Sequence, residues 1–178
     1  MDPQLKKKLL LRKFSNIEYM EQFRDYHRRA LEATEEGINY FYKHPPDENW
    51  HQWHRSEWPE TWEERTVANF RGMQNSINKG IQNARQGKLS TIRSAAGSFA
   101  GISKDMDGIG EKWWSYIPAE YEERFIINRG AASMRASNLR RTVGDYWDEN
   151  DDDLLDEEIT GPIDEQDLLR YLKPGEQP

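Results

Sequence analysis

Apolar residues recur along this chain at steps of three and four, and strict alternation is absent, which predicts helices and no strands. Met20, Phe23, His27, Ala30 and Leu31 share one face of a first helix. "SNIE" at 15–18 reads as its capping box, with Ser15 accepting from the Glu18 amide while Glu18 reaches back, and Gly37 reads as its stop. "YKHPPDENW" (42–50) is expected to be a loop, because Pro45 and Pro46 do not fit a helix interior. Pro59 suits the first turn of a long helix reaching about Gln86, with Gly87 as its stop. Its seam is Phe70, Met73, Ile77, Ile81 and Ala84, and at 100° per residue Arg71, Asn75, Asn78, Lys79, Gln82 and Gln86 gather opposite.

A segment rich in Ser, Ala and Gly follows Lys88 and reads as a further helix to Ile102, weakened by Gly97 and Gly101. "DMDGIG" (105–110) has the chemistry of a turn. "EKWWSYIP" then leads into another long helix that opens with Pro118, Glu120, Glu122 and Glu123, acids suited to an N-terminal dipole. Tyr121, Phe125, Ala132, Leu139, Val143 and Tyr146 face one way while Ile127 and Met134 face the other, so that helix is expected to be covered on two sides. "IDEQDLLRYL" (163–172) resembles a short peptide-like helix. The expected fold is all-α: a bundle of three to four helices over 15–146, a basic arm over 1–14, and an acidic, partly irregular tail over 147–178 with a short helix near 163–172.

Composition changes this picture in two ways. Hydrophobic residues make up 35% and charged residues 32% of the 178, so part of the chain is expected to order only within an assembly. Seven Trp, eight Tyr and six Phe compensate, since each ring can bury ~150–250 Å². The chain has no Cys, which excludes disulfides, thiol catalysis and Cys-ligated metals and suits a reducing interior. Three consecutive leucines between basic clusters near the start are too few for a signal-peptide core or a membrane span, so a soluble, unsecreted protein is expected.

Charge is unevenly placed. From Asp145 onward there are 13 acidic and 2 basic residues, a net −11, which leaves +4 on residues 1–144. Forty residues from Arg65 to Lys104 hold no Asp or Glu, and a second acid-free window runs from Arg124 to Gly144. Such segregation points to contact with a polyanion or to an interaction tail. Phosphate neutralisation needs Lys and Arg free of competing carboxylates, with amides and hydroxyls beside them. The candidate nucleic-acid contacts are Arg71, Asn75, Lys79, Gln82, Arg85, Lys88 and Arg93, with Arg129, Arg135, Arg140 and Arg141 in the second window. Ser94, Ala95, Ala96, Gly97 and Ser98 are small enough to let a backbone approach closely. A helix packed beside an acidic protein, or beside the chain's own tail, would have the same composition, and both readings stay open.

"NWHQWHRSEWPETW" (49–62) concentrates four Trp, two His and two Glu. His51, His54 and Glu57 fall at i, i+3 and i+6, but this is not the H-E-x-x-H zinc pattern and Pro59 interrupts a helix there, so no metal is assigned. The aromatic cluster Trp50, Trp53, Trp58 and Trp62 is read as core or as a partner interface, with Leu168, Leu169, Tyr171 and Leu172 as a docking peptide. Asp151–Asp153 and Asp156 lack the loop pattern of a calcium site and read as plain acidic tail. His27, on an apolar face, reads as a packed core histidine. With no P-loop, dinucleotide glycine motif, nucleophile elbow or paired catalytic set, neither an enzyme nor a cofactor is expected.

The stretch "IPAEYEERFIINRGAASMRASNLRRTVGD" (117–145) resembles the long C-terminal helix of head-to-tail adaptor proteins of short-tailed phages, of the tail tubular protein A type. Pro118, Phe125, Ile126, Arg129, Ala131, Ala132, Met134 and Gly144 carry that resemblance, while the Trp-rich 49–62 has no counterpart in the pattern. The resemblance implies a virion structural protein, in the virion or the host cytoplasm, that forms a ring of helical subunits around a DNA channel. The expected function is therefore a non-enzymatic assembly protein that oligomerises and contacts nucleic acid, expected to be duplex DNA through its backbone. The alternative is a regulatory adaptor that clasps an acidic protein and docks by its tail.

Overall fold

A computed structural model describes residues 3–44, 62–86, 89–106 and 114–146, with side chains described over 13–44, 65–86, 91–106 and 114–141. Four helices make up this part: α1 (Pro3–Lys43), α2 (Trp62–Ala84), α3 (Leu89–Asp105) and α4 (Ala119–Tyr146). No strand occurs among the described residues, in agreement with the all-α expectation.

The helices form a ring of neighbours: α1 packs most extensively on α4 and also on α2, and α3 packs on α2 and α4. Aromatic pairs span both diagonals. Phe23 of α1 stacks on Phe99 of α3 at 5.0 Å between centroids, and Phe70 of α2 lies 6.5 Å from Phe125 of α4. Trp114, in the turn before α4, closes against Phe125 at 5.2 Å. Stacked rings across a narrow core place large apolar area where four seams converge.

The seams follow the expected spacing. Phe70, Ile77, Ile81 and Ala84 are buried on α2, with Met73 partly so, and Phe125, Ala132 and Leu139 are buried on α4. Met20, Phe23, His27, Ala30 and Leu31 are all buried on α1.

The bounds of α1 differ from those expected. The helix runs through Ser15 and on past Gly37, so the capping box does not cap, the segment from Pro3 to Phe14 is helix rather than an arm, and Gly37 is not a stop. The Lys- and Leu-rich 5–13 stretch has strong helix propensity, and the seam that includes Asn16 and Ile17 continues past the expected cap to buried Lys13. At the other end buried Phe41 follows buried Gly37 on the same face, and this packing outweighs the glycine's propensity. At 41 residues α1 is about 60 Å long.

Around α4 the expectation holds at the start. Ile117 N donates to Trp114 O, Tyr121 N donates to Pro118 O, and Glu120 and Glu122 sit in the first turn. Two-sided cover does not follow. Ile126 is 47%, Ile127 68% and Met134 53% exposed, three of the four large hydrophobic residues left exposed among those described.

Candidate nucleic-acid interface

The outer faces of α2 and α3 meet along a groove with polar side chains at its rim and Phe99 in its floor. Ser76, Lys79, Gly80 and Asn83 line it from α2, and Thr91, Ser94, Ala95 and Ser98 line it from α3, around a space of about 250 Å³. Gly80 sets its depth, because a Cβ there would lie 3.3 Å from Cε1 of Phe99. The missing side chain lets α3 bring Phe99 up to α2 as the groove floor. Both sets of hydroxyls and amides stand at the edge between each helix's buried seam and its outer face.

Outward from the groove, Arg65, Asn75, Asn78, Lys79, Gln82, Asn83, Gln86, Ser94, Gly97, Ser98, Gly101 and Lys104 are exposed, and no carboxylate falls among them before Asp105. A Cβ at Gly97 or Gly101 would meet nothing within 4 Å, so this part of α3 presents bare backbone to solvent. The surface combines cations, amides, hydroxyls and room for close approach.

The arginines divide. Arg71 bonds Glu35 at 3.1 Å and Arg85 bonds Glu21 at 2.5 Å, both on α1. Their side chains are still 65% and 53% exposed, so these are solvent-screened pairs of small energy. Arg124 pairs with Glu36, which holds the Glu36 carboxyl below its usual range, mainly by the hydrogen bond it donates. Arg135 donates to Gln22 at 3.1 Å and lies 4.7 Å over the Tyr26 ring, and Arg129 lies 5.7 Å from the Phe125 ring centroid. Arg135 and Arg129 are thus half-buried, with Arg135 turned toward α1 and Arg129 over the Phe125 ring of its own helix. Arg93 is half-buried, and Arg140 and Arg141 are exposed.

The structure thus brings Asn75, Lys79 and Gln82 onto one outward face, turns Arg71 and Arg85 toward α1, and sets the α4 arginines apart from them. Lys88, Trp50, Trp53, Trp58, Leu168, Leu169, Tyr171 and Leu172 lie outside the described residues, as do the side chain of Trp62 and the candidate metal set His51, His54 and Glu57. Sequence reasoning passed over Arg65, Lys104, Ser76, Asn83 and Thr91 as contributors. The signal available for the last three was their position about 100° from the seam of each helix, but that angle becomes a groove only when the neighbouring helix is known.

His27 is confirmed as a core residue. Its Nδ1 donates to the Gln74 side-chain oxygen at 2.8 Å, and burial pushes its pKa below the ordinary value. Among the described residues no group of three His, Asp or Glu side chains gathers to hold a metal, and no helix is long and apolar enough to cross a membrane.

No protein-family model matches the chain, and no curated protein or solved structure matches it either.

Proposed function

We propose that this chain is a non-enzymatic structural or assembly protein that oligomerises and touches the nucleic-acid backbone with the joined outer surface of α2 and α3. One observation carries the reading: among the described residues from Arg65 to Lys104, the exposed polar side chains of both helices are cations, amides and hydroxyls around a shared groove, without a carboxylate. Phosphate contact requires that combination, and a merely solvated helix face commonly mixes both charge signs. Lys79, at the groove edge, is the cation of the groove itself, and Arg65 and Lys104 are exposed farther along α2 and α3. Arg71 and Arg85 can exchange their exposed carboxylate partners for phosphate at small cost. The virion setting, an adaptor ring beneath a portal, rests on the resemblance of 117–145 and on nothing else.

Titration of labelled duplex DNA with the full chain at rising salt tests the proposal. Log affinity should fall linearly with log salt, with a slope near −0.9 for each phosphate neutralised, and Lys79→Gln should reduce that slope by about 1. Absence of binding at low salt, or an affinity indifferent to salt, overturns it.

A second reading has its own observation. Arg71, Arg85 and Arg124 are already matched to Glu35, Glu21 and Glu36, so these helices accept carboxylates as neighbours. An adaptor for an acidic protein would use the same surface, fail to bind DNA and recover a defined heteromeric partner.

A further inference from the structure

The exposed side of α4 has a pattern that its buried side does not explain. Glu123, Ile127, Gly130, Met134, Ser137 and Arg141 follow one another at steps of four, three, four, three and four, and all six are exposed. That alternation is the 3.5-residue spacing of a coiled-coil seam, so the six form one straight stripe about 27 Å long. A solvent-facing helical stripe gains nothing from Ile127 and Met134, and Ile126 flanks it, also exposed. Gly130 sits at its middle, where a Cβ would meet nothing within 4 Å, so nothing packed within the described part of the fold requires a glycine there.

The spacing of the stripe is the same in both directions about its centre near residue 132. Laid antiparallel on a second copy of itself, it sets Glu123 against Arg141, Ile127 against Ser137 and Gly130 against Met134. Each match is complementary: acid with base, large with small, and a methionine over a glycine that leaves it a hole. A two-fold axis makes every match twice, as isologous contacts require. Antiparallel pairing also sets the helix dipoles head to tail. A parallel pairing would instead put Glu123 on Glu123 and Arg141 on Arg141, and would waste the Gly130 hole.

We infer that the exposed stripe of α4 is a self-recognition surface, and that two copies of this chain pair antiparallel through it with Gly130 receiving Met134 of the partner subunit. The occupant is a second copy because the stripe's charges and sizes complement the same stripe reversed. The pairing gives the oligomer a two-fold contact, a geometry distinct from the head-to-tail contact of a ring. It also engages Arg141 with the partner's Glu123, so Arg141 is not left for phosphate. Nucleic-acid binding by α2 and α3 stands or falls separately, since none of the six residues lies on those helices.

Sedimentation equilibrium of the full chain up to roughly 100 µM, a range suited to a short interface, should show a species of twice the 21.1 kDa chain mass. Glu123→Arg or Arg141→Glu alone should weaken association by about tenfold or more, because each sets like charges opposite one another twice. The double exchange Glu123→Arg with Arg141→Glu should restore it. Gly130→Leu, which enters open space in the single chain, should keep the helical circular dichroism and melting behaviour of the monomer while abolishing the dimer. The chain has no cysteine, so Ile127→Cys with Ser137→Cys should give an interchain disulfide under mild oxidation. Within one helix those positions are about 15 Å apart, too far for an internal bond. A chain that stays monomeric, or a dimer indifferent to the charge exchange and to Gly130→Leu, overturns the inference. DNA titration of the same variants separates this outcome from failure of the nucleic-acid reading.

Discussion

Nδ1 of His27 lies 2.8 Å from the side-chain oxygen of Gln74, and the Gln74 amide in turn donates to the Arg24 carbonyl at 3.4 Å, so one glutamine bridges the backbone and a core ring of α1. The arrangement defines the tautomer: Nδ1 carries the proton, and Nε2, buried with no hydrogen-bond partner, holds a bare lone pair between Phe23 and Phe70. A second proton would place an unpaired charge among those rings.

Stability should therefore depend on pH through His27. Its folded pKa is depressed by burial, so the unfolded chain binds the proton more readily below about 6.5. The stabilisation is complete above the unfolded value and is lost as pH falls from there through the folded value. Urea midpoints measured from pH 8 to 5 should decline across that window, and His27→Gln should flatten the decline. An equal slope in wild type and variant would contradict the lowered pKa of His27.

Removing the other end of the bridge should be felt as well. Gln74→Ala orphans the His27 Nδ1–H inside the core, and leaving a buried donor unmet costs roughly 1–3 kcal/mol. Chemical denaturation at pH 7.5 measures it, and a change under about 0.5 kcal/mol would mean water replaces the amide.

Two glycines should respond oppositely to alanine. Gly97→Ala fills open space on an exposed helical face and should stabilise by about 0.5–1 kcal/mol. Gly80→Ala should forfeit that gain, because its Cβ would press on the Phe99 ring at 3.3 Å and the ring is held by its stack on Phe23. Thermal melts of the two variants side by side test the contrast, and equal shifts would show that Phe99 gives way freely.

Truncation of core aromatics should separate fold from surface. Phe125→Ala removes the ring that meets both Phe70 and Trp114 and should cost about 3–5 kcal/mol. Arg124→Gln, which breaks an exposed pair with Glu36, should cost less than about 1 kcal/mol, and salt should shrink that difference.

The acidic segment beyond residue 146 should compete for the cationic surface. Deleting 147–178 removes most of a stretch with 13 acids and 2 bases, and should tighten binding to duplex DNA several-fold at low salt, with the gain fading as salt rises. Unchanged affinity would mean the tail does not visit the α2–α3 face.

Much of the fold was legible because helical periodicity is local. The seams of α2 and α4 follow from residue spacing alone, since 100° per residue assigns a buried face whatever the neighbours are. End signals were less dependable. Ser15 and Gly37 have the chemistry of caps, yet α1 runs through both, because burial of Lys13 before Ser15 and of Phe41 after Gly37 outweighs a local hydrogen bond.

The candidate interface was legible in composition and not in geometry. A run of forty residues without a carboxylate and the concentration of net negative charge at one end are properties of the chain order itself, and no packing can alter them. Packing decides which neighbour meets the flank of a helix. Arg71 and Lys79 sit on the same side in a helical projection, but α1 lies beside the first and brings Glu35 to it, while α3 lies beside the second and opens a groove. On α4 the spacing marks a second apolar side at Ile127 and Met134, and tertiary structure leaves it uncovered. Periodicity says which residues turn away from water within one helix. Only the arrangement of the other helices says what each remaining face turns toward, because that depends on contacts between residues far apart in the chain.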